Sequence, residues 1–231
     1  MDYREGYVAL IDKPLEWTST DVVRKIKYTL QRRGWGRKIK VGHAGTLDPL
    51  ASGVLLICIG KATKRVDELQ SERKEYIADV VLGATTPSYD MEHPIDATYP
   101  TEHITRELID EVLLSLTGER LQSPPLFSAK KVEGVRAYEI ARAGESVELR
   151  QSLITIYNIE VLEFAMPNLK LCVECSKGTY IRSLASEIGE GLKSGGYLSG
   201  LRRTKSGGYR AEDGWELEDF LKSIDECETI L

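Results

Sequence analysis

Apolar positions recur along the chain in two periods, and their changes mark the elements. Gly6 to Ile11 reads as a short strand. The segment Thr18 to Asp21, TSTD, reads as a helix start, because Val22, Val23, Ile26 and Leu30 follow at helical spacing. GVLLICIG, Gly53 to Gly60, is apolar throughout and of strand length, which predicts a strand buried on both faces at the centre of a sheet. Lys61 to Leu69 has helical character. Tyr76, Ala78, Val80 and Leu82 then alternate with Ile77, Asp79 and Val81 in another strand. Thr105 to Leu116 is an amphipathic helix closed by Gly118.

The segment SPPLFSAKKVEGVRAYEIARAGE departs from both periods and reads as an excursion from the core, with a hairpin about Glu133-Gly134 and a short helix through Tyr138 to Ala143. Strands return at Ile154 to Phe164 and Leu169 to Ser176. A helix from Thr179 to Leu192, two short strands near Leu198 to Thr204 and Tyr209, and a closing helix from Leu217 complete the order. This is a mixed α+β pattern with antiparallel character, no internal repeat and no linker, so one domain over residues 1–231 is expected.

A chain of 231 residues buries about 70 to 75% of its unfolded surface, enough for a sizeable core without staples. No run of about eighteen apolar residues occurs, and no basic segment followed by an apolar run opens the chain, so a soluble cytoplasmic protein is expected. Cys58, Cys172, Cys175 and Cys227 are too irregular for a disulfide framework. Cys172 and Cys175 form a C-x-x-C, yet they lie three apart on a predicted strand and face opposite ways, which excludes a shared metal.

The net charge of −5 conceals a segregation. Residues 212 to 231 hold eight acids against Lys222 alone, leaving a net +2 for the rest. From Val22 to Leu47 there are eight basic residues and no acid; from Gly191 to Ala211 there are five, again with none. Such stripes suit a phosphate backbone.

Metal chemistry, a Ser-His-Asp hydrolase, a Walker loop and a dinucleotide fingerprint all lack their residue spacings. What remains is VGHAGTLDPLASGVL, residues 41–55, where Asp48 sits in a loop bent by Gly42, Gly45, Pro49 and Gly53 directly ahead of the apolar strand. Asp-Pro starts ordinary turns, and glycines also admit close approach of a ligand, so the loop is either a turn or a device presenting Asp48 to a substrate. A lone carboxylate with basic stripes and aromatics permits covalent catalysis by Asp on a nucleic acid.

VALIDKP (Val8 to Pro14), GHAGTLDPLASGVL (Gly42 to Leu55), KEYIADVVLG (Lys74 to Gly83), QSPPLFSAKKVEGVRAYEIAR (Gln122 to Arg142), CSKGTYIRSLASEIG (Cys175 to Gly189) and LRRT (Leu201 to Thr204) occur in the order seen in the TruB-type tRNA pseudouridine-55 synthases, and the resemblance covers nearly the whole chain. It implies the pseudouridine synthase fold, a mixed and largely antiparallel central sheet with flanking helices, and a thumb-like RNA-binding insertion at 124–152. It also implies isomerisation of uridine 55 in the tRNA T loop with the target base flipped into the pocket. Asp48 is the implied nucleophile, attacking carbon 6 of the base or the ribose anomeric carbon; which one is open. Arg182 pairs with that carboxylate, Tyr76 lies against the target base as a candidate general base, and His43 fills the space the base vacates. Lys13 and Lys130 line the RNA side, Asp90 lies near the base pocket, and Gly42, Thr46 and Leu47 belong to the substrate-binding loop. No cofactor and no metal are implied. The partner is the T-arm of tRNA, with no membrane, no obligate protein partner and a monomeric state expected.

Three departures stand out. Glu16 replaces the usual Gly of D-K-P-x-G, which implies a turn without positive φ in this protein; Thr86 to Asp90 reads TPSYD in place of T-D-T-x-D, which leaves the loop's contacts open; and no small RNA-binding PUA domain follows LEDFLKSIDECETIL. Two other functions fit the same motifs: a non-catalytic tRNA-folding helper and a guide-RNA-dependent catalytic subunit. The intact Asp48, Tyr76 and Arg182 weigh against the first and the absent PUA domain against the second.

Overall fold

The computed structural model describes residues 2–127, 131–132, 135–136 and 149–227. These divide into two compact units, one formed by Met1–Tyr76 with Leu201–Leu231 and the other by Ile77–Gly200.

In the first unit, β1 (Tyr7–Lys13) runs antiparallel to β3 (Ala51–Ile59), from Tyr7 opposite Ile59 to Lys13 opposite Gly53. Strand β2 (Val41–Ala44) is also antiparallel to β3. On the other side β12 (Gly196–Ser206) pairs with β3 in parallel, placing Leu201, Arg202 and Arg203 opposite Ala51, Ser52 and Gly53. Strand β3 is buried almost end to end, as its unbroken apolar run predicts. Leu55, Ile57 and Ile59 point into a core with Val22, Ile26 and Leu30 of α1 (Ser19–Arg32) and Phe220, Leu221 and Ile224 of a C-terminal helix, Leu217–Glu226. Val54, Leu56 and Cys58 point the other way, onto Ala44, Ala62 and Leu69. Helix α1 begins where TSTD predicts, with Thr18 and Asp21 capping each other reciprocally.

The expected helix at Lys61 to Leu69 starts as a 3₁₀ turn, Gly60–Arg65, before α2 (Val66–Ser71). The Thr63 hydroxyl donates to the Gly60 carbonyl at 2.8 Å, a local bond that tightens the turn. Two short strands escaped the sequence pattern in this unit: β2, and β14 (Trp215–Glu216), which pairs with β1 in parallel.

In the second unit the strand order is β4 (Lys74–Leu82, whose first residues lie in the first unit), β11 (Asn168–Cys175), β10 (Ser152–Ala165) and β7 (Gly118–Gln122). Both β10 pairings are antiparallel. Gly118 therefore closes the helix α3 (Arg106–Leu116) and also opens a strand. Along β11, Cys175 is buried and Cys172 lies on the opposite, half-buried face. Helix α4 (Ile181–Gly191) is buried along most of its length. Its Gly189 lies so near the main chain of Gly195 and Gly196 that an added Cβ would sit 2.2 Å from the Gly196 nitrogen. The C-terminal helix Leu217–Glu226 is α5.

Short strands β8 (Lys131–Val132) and β9 (Val135–Arg136) pair antiparallel, matching the expected hairpin; β5 (Ala84–Thr85) with β6 (Ala97–Thr98) and β13 (Tyr209–Arg210) with β12 also pair antiparallel. The short helix expected at Tyr138 to Ala143 and the site residue Lys130 lie outside the described residues. The fold class is α+β with a large, mostly antiparallel sheet. No described helix is long and apolar enough to cross a membrane.

Candidate active site

Asp48 occupies the six-residue connection between β2 and β3, and its main chain is fastened from several directions. The Leu47 N–H donates to the Ser19 hydroxyl at 2.8 Å, and that hydroxyl donates to the Leu47 carbonyl at 3.0 Å. The Ala51 N–H donates to the Asp48 carbonyl at 3.1 Å. Leu47 is buried, Thr46 is exposed, and Gly42, His43 and Asp48 are half-buried. Gly45 has φ +100° and Gly53 φ +101°; at Gly53 an added Cβ would sit 2.2 Å from the Arg203 carbonyl oxygen, so only glycine fits.

The neighbouring turn corrects an expectation. Glu16 has φ +66°, so the left-handed backbone usual for a glycine persists here with a glutamate in its place. The Glu16 N–H donates to the Pro49 carbonyl at 2.8 Å, and that tie to the residue after Asp48 holds the turn in a conformation its side chain disfavours.

Lys13, expected to line the RNA side, is fully buried. Its ammonium donates to the carbonyls of Pro14 at 2.7 Å and Trp17 at 2.6 Å, which withdraws it from RNA phosphates. Burial brings its pKa down to about 8, partly offset by the attraction of Asp48 and reinforced by the repulsion of Arg203. It remains a cation at neutral pH and attracts the Asp48 carboxylate. His43 has its pKa lowered by burial and then by Arg203, so its imidazole is neutral at pH 7. Its Nδ1 is buried and finds no hydrogen-bond partner among the described residues. Tyr76 is buried on the inward face of β4.

The sequence reading missed Arg203. It is 1% exposed and spends its guanidinium on main-chain carbonyls: Nε to Val54 at 2.7 Å, Nη2 to Gly45 at 3.0 Å and Nη1 to Thr46 at 3.4 Å. Its only signal in the sequence is the second arginine of LRRT, which looks like one more cation in a basic stripe.

In the second unit, Arg182 near the start of α4 is buried and ion-paired with Asp90 at 3.4 Å. It also donates to the carbonyls of Ser88 at 3.3 Å and Phe127 at 3.0 Å. The altered TPSYD loop supplies Asp90's other partners. Its Oδ1 accepts from the Ser88 hydroxyl at 2.6 Å and the Glu92 N–H at 3.0 Å, while the Thr86 hydroxyl donates to the Asp90 carbonyl at 2.6 Å.

The basic stripes change meaning. In the stretch from Gly191 to Ala211, Arg203 is buried, and Arg202, Lys205 and Arg210 are paired with Asp12, Glu75 and Glu212 at 2.6 to 2.7 Å. Arg203 is thereby withdrawn from solvent, and the other three each have an acidic partner at the surface of the first unit. In the first stripe Arg24 pairs with Asp21 and Arg32 with Asp225, whereas Lys25, Lys27, Arg37, Lys38 and Lys40 are exposed. Among the described residues no three His, Cys, Asp or Glu side chains gather to hold a metal ion.

Comparison with known proteins fits this geometry. Residues 32–181 match the TruB family pseudouridylate synthase (N terminal domain). The chain is 57% identical over 228 residues to tRNA pseudouridine synthase B of Phocaeicola vulgatus, covering 99% of this chain and 97% of that one. To the protein of the same name from Flavobacterium johnsoniae it is 52% identical over 224 residues, covering 96% and 98%. Among solved structures, a chain of a Cbf5-Nop10-Gar1 complex superposes with a TM-score of 0.72 at 33% identity over 96% of this chain, which spans 55% of that longer one. With a family match over most of its length and close relatives matched nearly end to end, this chain belongs to the TruB family of pseudouridylate synthases.

Proposed function

We propose that this protein converts uridine 55 of the tRNA T loop to pseudouridine, with Asp48 as the nucleophile. The observation that carries the reading is the anchoring of Asp48: Ser19, Ala51 and Arg203 fix the main chain around it, and the buried ammonium of Lys13 faces it electrostatically. A fixed cation favours the ionised carboxylate, and a fixed backbone lowers the cost of holding a near-attack geometry.

The reaction conserves atoms and electrons. The carboxylate attacks carbon 6 of uracil or the ribose anomeric carbon, and on either route the glycosidic bond between the anomeric carbon and N1 breaks. The base turns within the pocket and bonds to the ribose through carbon 5. Carbon 5 loses its proton, N1 gains one, and the carboxylate is released. Neither oxidant nor reductant enters. Tyr76 and Arg182 complete the catalytic set by their motifs, with Tyr76 as the base and Arg182 as the cation that keeps the nucleophile charged. The neutral imidazole of His43, with one nitrogen unsatisfied, suits a nucleotide contact made when RNA binds. A flipped uridine is the substrate form, because a stacked base exposes neither reacting carbon.

The test is tritium release from a T-arm transcript labelled at carbon 5 of uracil, with purified protein and no guide RNA. Wild type should release tritium stoichiometrically with uridine 55. Asp48→Asn should fold and bind the transcript yet give no release, since an amide is no nucleophile. Comparable release by both proteins removes Asp48 from the mechanism. Tight binding without release by the wild type points instead to an RNA-folding helper.

A further inference from the structure

The carbonyls of Gly45 and Thr46 lie three and two residues before Asp48, and that of Val54 lies six residues after it. All three accept from the one guanidinium of Arg203. The group is planar, so three donors on a single rigid fork fix the two ends of the Asp48 connection relative to each other. The main chain of Arg203 is fixed as well, because it pairs in register with Gly53 at the start of β3. A side chain at Gly53 would collide with it, and one at Gly45 would sit 3.4 Å from Nη1. The site thus has two tethers: Ser19 holds Leu47 from α1, and Arg203 holds the flanks from β12. Charge segregation cannot be the reason for a cation here, because Arg203 is shut off from solvent.

We propose that Arg203 is a positioning residue for the isomerisation, fixing where the Asp48 carboxylate stands by clasping the main chain on both sides of its loop. The proposal rests on Asp48 being the nucleophile. Arg203 contacts no reacting atom and acts through the loop. A lysine at this position keeps the charge but cannot span three carbonyls on one plane, and a glutamine keeps two donors without the charge. Either change should leave RNA affinity nearly intact and slow the chemical step, since displacement of a reacting group by about 1 Å costs on the order of 10²-fold in rate.

The experiment measures single-turnover tritium release and T-arm binding for wild type, Arg203→Lys, Arg203→Gln, Ser19→Ala and Asp48→Asn. A control, Ile224→Ala on the core face of α5, makes no hydrogen bond to the loop and reports the effect of lost stability. The expected result is a Kd within about twofold of wild type and a rate lower by about 10²-fold for Arg203→Lys, with the control fast at temperatures where both are folded. Combining Ser19→Ala with Arg203→Lys should cost less than the product of the single losses, because both act on one loop. A rate within twofold of wild type for Arg203→Lys overturns the proposal. So does a loss confined to Kd, or a rate loss equal to that of a control with the same melting temperature. If neither Arg203 variant folds and Ser19→Ala keeps full rate, the clasp is a fold contact and the proposal fails. Full activity of Asp48→Asn would instead sink the nucleophile assignment, a separate outcome.

Discussion

Replacing Glu16 with glycine should stabilise the protein. Its backbone is left-handed at φ +66°, a region that costs a residue with a Cβ about 1–2 kcal/mol. Glycine removes that cost but releases more freedom to the unfolded chain, which returns about 0.5–1 kcal/mol. The side chain is exposed, and the hydrogen bond to Pro49 uses the backbone N–H, so neither contact nor burial is lost. The net gain is about 0.5–1 kcal/mol, or an increase of about 1–4 °C in Tm for a chain of this size. Differential scanning calorimetry at pH 7 on wild type, Glu16→Gly, Glu16→Asn and Glu16→Ala separates the terms. Asparagine tolerates left-handed backbone and should fall between, and alanine keeps the Cβ and should gain nothing. A glycine variant melting at or below the alanine variant would refute the strain assigned to this turn.

Lys13 gives a pH test. Its folded pKa lies below its unfolded value, so the folded state carries a penalty for the charged form that is fully present below about pH 8 and disappears as pH rises toward 10.5. Relative to Lys13→Met, wild type should therefore gain up to about 3 kcal/mol across that window by denaturant titration; a constant difference would deny the burial effect. Asp90→Asn should cost roughly 3 kcal/mol, the low end for breaking a buried pair, because Ser88 and Phe127 still accept from Arg182; a loss below about 1 kcal/mol in urea unfolding would mean the pair is weak. Lys25→Glu with Lys27→Glu should weaken T-arm binding and flatten log Kd against log salt by about 1.4 or more, with saturated turnover unchanged. Arg32→Glu should alter that slope less and lower Tm instead, because Asp225 already neutralises Arg32; an equal salt effect would contradict this.

The elements that carried a strong period were legible before any coordinates. The unbroken run from Gly53 to Gly60 became the central strand, and TSTD became a reciprocal cap, because both signals are local. The two- and four-residue strands β14 and β2 are too short to show a period and exist only through their partners. At the site, the glycines and the Asp-Pro step marked the loop correctly. The pairing of the second basic stripe is invisible in the sequence where the partners lie far away, Asp12 being 190 residues from Arg202 and Glu75 130 residues from Lys205. Counting charge along a chain cannot tell a cation aimed at solvent from one spent on a distant carboxylate or a carbonyl. Arg203 is obscured in the same way by carbonyls 149 to 158 residues before it, whereas Lys13 is withdrawn by carbonyls one and four residues on, which no charge count registers.

The parallel pairing of β3 with β12 also sets an order in time. The carbonyls clasped by Arg203 lie 149 to 158 residues before it, so a chain made from its N-terminus presents the Asp48 loop long before the strand that steadies it exists. Until β12 is synthesised, the Ala51–Gly53 end of β3 lacks its parallel partner, and an open strand edge of this kind in a nascent chain is a target for chaperones and for aggregation. Contacts of this sequence separation also slow folding. The full clasp on the Asp48 loop therefore arrives only with β12, and a chain that has not reached it holds that loop through Ser19 without the fork of Arg203 on its flanks.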